Sequence, residues 1–79
     1  MRARVIVTLK SGVLDPQGKA IEGALRSLSI DGVKSVRQGK IFEIELDGAD
    51  CQAARKTLEE ACERLLANTI VEDYVIEID

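Results

Sequence analysis

The sequence predicts an α+β protein in which two helices cover one face of a four-stranded antiparallel sheet. Three segments alternate apolar and polar residues with a period of two, and a fourth carries a weaker strand signal. Two longer segments repeat apolar residues every three to four positions, as amphipathic helices do. The six segments follow one another as β-α-β-β-α-β. Joined by right-handed crossovers, they form a ferredoxin-like βαββαβ two-layer sandwich, a single domain over residues 1–79.

The first half of the chain predicts one strand and one helix. Residues 2–10 form the strand, because every second residue from position 3 onward is apolar. The helix begins at Asp15-Pro16, where the carboxylate can cap free backbone N–H groups and proline suits the first turn. It ends at Asp31-Gly32. The stripe expected to face the core consists of Ile21, Ala24, Leu25 and Leu28.

The second half of the chain predicts the remaining four elements. Residues 33–38 form the weak strand, and Gly39 turns the chain into the next strand at 41–46. The clearest helix runs from a cap at Asp50 to near residue 67, because its apolar residues repeat at offsets of four, seven, eight and eleven. The last strand covers residues 74–78.

The composition argues against several classes of function. The chain has no histidine, so it lacks the usual general base near neutral pH and the commonest metal ligand. A net charge of −3 and only two aromatic residues argue against nucleic-acid binding. No apolar run is long enough to cross a membrane, and the N-terminus lacks the features of a signal peptide. We therefore expect a cytoplasmic protein.

The small size of the chain favours oligomerisation. A domain this short buries only about 60% of the surface that its unfolded form exposes, and small domains usually gain stability from disulfides, metals or oligomerisation. Cys51 and Cys62 lie about 16 Å apart along one predicted helix, which is beyond the reach of a disulfide. Two cysteines without a histidine do not complete a zinc site. Association between chains is the remaining source of stability.

The sheet face that the helices leave uncovered is a candidate for this association. It carries Ile6, Ile41 and Val75 among charged residues, and we predict that these three side chains take part in self-association. The alternative is a solvated face on which basic residues of the first strand pair with acidic residues of its neighbours.

Several strings along the chain match one known family. They are Arg4 to Lys10, Gly12 to Gly18, Val36-Arg37 with Gly39-Lys40, Leu65 to Asn68, and Glu72 to Tyr74. Together they closely resemble the PurS family, the small subunit of phosphoribosylformylglycinamidine synthase in purine biosynthesis. The resemblance covers essentially the whole chain, and the corner Val-Leu-Asp-Pro-Gln-Gly is its most specific part. Departures are modest: Ser11 and Thr69 stand where the family often has proline, and Gln38 where an apolar residue is common.

The resemblance implies a non-catalytic assembly subunit. In the complete enzyme a glutaminase releases ammonia from glutamine, and a large synthetase uses ATP and Mg to activate formylglycinamide ribonucleotide. The small subunit helps to assemble the two, so that ammonia passes between them. The resemblance also implies that this chain binds no cofactor or metal, supplies no catalytic residue, and forms a strand-sharing homodimer or a dimer of dimers. From the residues alone, a small-molecule-binding regulatory module of the same fold is the alternative.

Exposed polar residues at the predicted helix start and hairpin are candidates for docking the partner subunits. Capping by the aspartate and ordinary solvation are the alternative explanation for the same residues. The docking candidates are Lys10, Asp15, Gln17, Arg37 and Lys40.

Overall fold

The computed structural model describes residues 1–79 and contains one three-stranded antiparallel sheet with the strand order β2-β1-β3. The strands are β1 (Arg2–Leu9), β2 (Gly39–Glu45) and β3 (Glu72–Ile78). The helices are α1 (Pro16–Ser27) and α2 (Cys51–Ala61), and a π-helix (Cys62–Leu66) continues α2. The α+β class is confirmed, and the ferredoxin-like arrangement fits with one strand fewer. No helix in the structure is both long enough and apolar enough to span a membrane.

The hydrophobic core lies between α2 and the sheet. The largest fully buried side chains are Leu58, Val5, Val7 and Cys62. Partly buried apolar residues pack around them: Phe42, Ile44, Leu46, Leu66, Tyr74, Ile76 and Ile78. The alternation predicted for the three strands is therefore confirmed. Cys62 is buried, which raises the pKa of its thiol, whereas Cys51 is exposed.

Truncation of Leu58 is expected to cost about 2–5 kcal/mol of unfolding free energy, because Leu58→Ala leaves a cavity in the core. Leu58 is 2% exposed, whereas Leu65, on the same helical segment, is 82% exposed. Leu65→Ala is therefore the matched control and should change stability by no more than about 0.5 kcal/mol. Urea unfolding of both variants measures the difference. Equal losses would show that the core does not lie where the structure places it.

The fourth strand predicted at residues 33–38 is wrong. These residues belong to no sheet and have no turn before β2, so the segment cannot fold back on β2 as a hairpin. The turn predicted at Gly39 is also wrong, because this glycine begins β2. It is needed for a different reason: a Cβ atom at Gly39 would lie 2.4 Å from the carbonyl oxygen of Val7, so only glycine permits this close pairing of the strands.

The prediction that α1 covers the sheet of its own chain is also wrong. The helix has the predicted bounds to within a few residues, but it has almost no contact with the three strands. Its apolar stripe is open to solvent, with Leu28 69% exposed. The molecule is correspondingly elongated, measuring 48 × 25 × 14 Å. A short helix gains most of its stability from packing. The apolar stripe of α1 has almost no such packing against the sheet of this chain.

Candidate interaction surfaces

The three apolar residues predicted for self-association lie in one row across the sheet. Ile6 at the centre of β1 pairs with Ile41 on β2 and with Val75 on β3. Neither helix covers this face, because α2 packs on the opposite side with Val5 and Val7. We name the row formed by Ile6, Ile41 and Val75 the open-face row. Its side chains form a continuous apolar strip, and self-association through it remains a prediction.

Charged residues border the open-face row on one side. Arg4 lies between Glu43 on β2 and Glu77 on β3 in the strand register. Arg2, two residues before Arg4 and on the same face of β1, forms an exposed ion pair with Glu45 at 3.6 Å. The cross-strand charge pattern expected for a solvated face is therefore present as well, and each such pair contributes at most about 1 kcal/mol.

Val75→Lys is expected to weaken self-association, because it places a charge in the apolar strip. Glu60→Lys is the matched control: it introduces the same side chain at an exposed position on α2, away from the sheet. Sedimentation velocity over a concentration series compares the two variants with the wild type. If both variants associate equally, the open-face row takes no part in self-association.

Asp15 is the centre of the second surface. Its Oδ1 accepts a hydrogen bond from the Gly18 N–H at 2.9 Å and caps α1, as predicted. Its Oδ2 accepts from the Gln38 N–H, also at 2.9 Å, and so ties the helix start to the entrance of β2. These two backbone hydrogen bonds lower the pKa of the Asp15 carboxyl. Gly18 is required here, since a Cβ atom would lie 2.4 Å from the carbonyl oxygen of Val36.

Glu22 forms the second attachment of the same segment. It is the one buried charged residue, and its Oε2 accepts a hydrogen bond from the Val36 N–H at 2.9 Å. Lys19 lies 3.6 Å from its other oxygen. The bond from Val36, followed by the nearby positive charge of Lys19, lowers the pKa of Glu22 against the opposing effect of burial. The sequence interpretation missed Glu22. Its signal is the spacing of seven residues from Asp15, which places both carboxylates on one face of α1.

The four other docking candidates lie around Asp15. The ammonium of Lys10 binds Asp73 at 2.7 Å, and that of Lys40 lies 3.8 Å from Glu72. The Arg37 guanidinium donates a hydrogen bond to the Leu9 carbonyl, and Gln17 is exposed in the first turn of α1.

All five docking candidates line two adjoining cavities. Asp15, Gln17 and Lys40 line one of about 420 Å³, and Lys10, Arg37 and Asp15 line another of about 430 Å³. We name these five residues the Asp15 shelf. The Lys10–Asp73 pair is exposed and therefore weak, whereas Lys40 pairs with the more buried Glu72. A partner surface can exchange with the Lys10–Asp73 pair at little cost.

Tyr74 connects the sheet to the π-helix. Its phenol donates a hydrogen bond to the Glu63 carboxylate at 2.8 Å. This bond, together with burial, raises the pKa of Tyr74 to about 12, so the phenol stays neutral and acts as a structural donor. No group of three His, Cys, Asp or Glu side chains is placed to hold a metal ion.

Comparison with known proteins identifies the family. The sequence model of PurS, described as phosphoribosylformylglycinamidine (FGAM) synthase, matches residues 2–79. The chain is 48% identical over 77 residues to the phosphoribosylformylglycinamidine synthase subunit PurS of Mycobacterium leprae, covering 95% of this chain and 91% of that protein.

Solved structures agree with the sequence match. Methanocaldococcus jannaschii PurS, one of the subunits of formylglycinamide ribonucleotide amidotransferase, superposes with a TM-score of 0.90 at 37% identity, covering 99% of this chain and 94% of that one. A chain in the structure of PurLQS from Thermotoga maritima gives a TM-score of 0.89 at 34% identity, with coverage of 96% and 93%. From the full-length match in sequence and in fold, this chain belongs to the PurS family.

Proposed function

We propose that this chain is the non-catalytic assembly subunit of a phosphoribosylformylglycinamidine synthase complex, acting in purine biosynthesis in the cytoplasm. The observation that carries the proposal is the match to the PurS family over residues 2–79. Two surfaces support it as candidates for binding, the open-face row and the Asp15 shelf, on a chain without histidine. The PurLQS structure contains a relative of this chain, which supports glutaminase and synthetase subunits as the partners. In this proposal the synthetase subunit uses ATP and Mg, and this chain binds neither.

The assembly unit in this proposal is a homodimer in which the helix α1 is exchanged between chains, in place of the shared strand that the family resemblance implies. Two apolar surfaces of the chain are incompletely covered: the stripe of α1, with Ile21 and Leu28 exposed, and the β2 half of the helix side of the sheet, with Phe42 and Ile44 only partly buried. The other half is covered, because α2 packs against β3. A helix stripe and a sheet face are complementary surfaces. Reciprocal docking of α1 onto the partner's β2 therefore buries both, and the open-face row is left to join two such dimers.

Physical association tests the assembly role directly. Mixed with the glutaminase and synthetase subunits, the chain is expected to elute with them from a size-exclusion column, with ATP, Mg and glutamine supplied in one series and omitted in another. The variant Lys40→Glu, which reverses one charge of the Asp15 shelf and leaves the core unchanged, tests where the partners bind. Weaker co-elution of this variant would place the docking surface at the shelf. The assembly role is wrong if the wild-type chain elutes alone under every condition.

A further inference from the structure

The connections of α1 would allow it to cover its own sheet. Residues 10–15 join it to the end of β1, and residues 28–38 join it to the start of β2. These two points lie side by side, because Thr8 pairs with Gly39. A helix attached in this way can fold back over β2, as the sequence pattern predicts. In the structure it has almost no contact with the sheet, so something holds it away.

The connecting segment is fastened along α1 by the two carboxylates of the helix. Asp15 accepts from the Gln38 N–H, and Glu22 accepts from the Val36 N–H, both at 2.9 Å. The two amides are alternate residues of one extended segment, so they point to the same side of it. Gly18 lets the Val36 carbonyl approach α1 closely. We name the Asp15–Gln38 and Glu22–Val36 bonds the carboxylate clamp.

The clamp opposes closure of α1 onto its own sheet. Because Gln38 directly precedes β2, we expect folding back to pull residues 36–38 away from the helix, and the buried Glu22 carboxylate would then lose its backbone donor. Hydrogen bonds to an ionised carboxylate are stronger than neutral ones. Backbone hydrogen bonds from Gly18 and Gln38 to Asp15 and from Val36 to Glu22 lower the pKa of the two carboxyl groups. The nearby charges of Lys19, Arg26 and Arg37 add to this effect, which favours the ionised form of both carboxyl groups.

We propose that Asp15 and Glu22 are positioning residues for self-association: by clamping residues 36–38 along α1, they hold the helix away from its own sheet, so that its apolar stripe covers the sheet of a second copy. The inference rests on the proposed homodimer. It gives the clamp a role in choosing between a closed monomer and an exchanged dimer, two folds in which α1 covers the same kind of surface.

The test removes the clamp and keeps the helix cap. In the double variant Asp15→Ser with Glu22→Ala, serine still caps α1, but its single oxygen cannot also reach Gln38. The control Glu22→Gln keeps an oxygen that accepts from Val36. Both are made in the Val75→Lys background, which is expected to weaken association through the open-face row. Sedimentation equilibrium gives the dimer dissociation constant, and amide hydrogen exchange at Val36 and Gln38 shows whether the clamp is open.

Opening the clamp is expected to raise the dissociation constant about 100-fold, as the loss of two charged hydrogen bonds implies, and to release a folded monomer. The Glu22→Gln control should stay within about threefold of its background. If exchange at both amides accelerates while the dissociation constant is unchanged, the clamp does not position α1 and the proposal is overturned. If the double variant does not fold, Glu22→Ala alone decides, with about a tenfold rise expected and no rise overturning the proposal. A wild-type chain that is monomeric overturns the homodimer and the clamp together, whereas a wild-type dimer insensitive to the variants overturns the clamp alone.

Discussion

Without this chain, the glutaminase and synthetase subunits are expected to lose glutamine-dependent synthesis of formylglycinamidine ribonucleotide, while synthesis from free ammonia continues. In the proposed assembly role the chain supplies no chemical group to the reaction with ammonia, so that reaction should proceed without it. Glutamine is used only if the ammonia released by one subunit reaches the other before it escapes to solvent. Product formation from each nitrogen source, with and without the chain, measures the difference, and we expect the glutamine rate to fall to background.

Adding the chain back provides the control for that experiment. Wild-type chain should restore the glutamine rate at a fixed ratio to the other subunits and leave the ammonia rate unchanged. A full glutamine rate in its absence would exclude the assembly role. Tight calorimetric binding of a nucleotide or an amino acid by the isolated chain would instead favour the small-molecule regulatory module.

The elements formed by local pattern could be predicted from the sequence. The alternation that includes Val5 and Val7 identifies β1, and the repeat that includes Leu58 and Cys62 identifies α2. Both patterns are readable because their apolar faces are buried within the same chain. Capping by Asp15 and Asp50 is a local interaction as well, and both carboxylates accept the expected backbone hydrogen bonds. The open-face row follows from strand parity, since Ile6, Ile41 and Val75 fall opposite the core residues.

What could not be predicted depends on contacts distant in sequence. The periodicity of α1 shows that the helix has an apolar side, but not which sheet that side covers. Residues 33–38 carry too few apolar side chains to specify a strand, and their position is set by Asp15 and Glu22 instead. A single glutamate in a helix resembles a solvated residue. Only its spacing from Asp15 distinguishes Glu22, and that spacing acquires meaning once the extended segment lies beside the helix.

Charge introduced into the stripe of α1 is expected to abolish the exchanged dimer. The double variant Ile21→Asp with Leu28→Asp changes four side chains per dimer, because each chain contributes one helix. Burying an isoleucine or leucine side chain contributes about 1.5–3 kcal/mol, so the loss exceeds what a small homodimer can tolerate. The sheet and α2 should stay folded, since α1 has almost no contact with the core.

This variant separates the role of α1 in assembly from a role in folding. Ser27→Asp is the control, because it adds one negative charge to the same helix outside the stripe. Sedimentation in the Val75→Lys background should show monomers for the double variant and dimers for the control, while hydrogen exchange in β1 and β3 stays slow in both. The glutamine-dependent rate of the reconstituted enzyme should fall with the dimer. If the double variant remains dimeric, α1 is not exchanged; if its strands exchange rapidly, the helix stabilises its own chain. Only monomers with protected strands agree with a helix that is folded by one chain and buried by another.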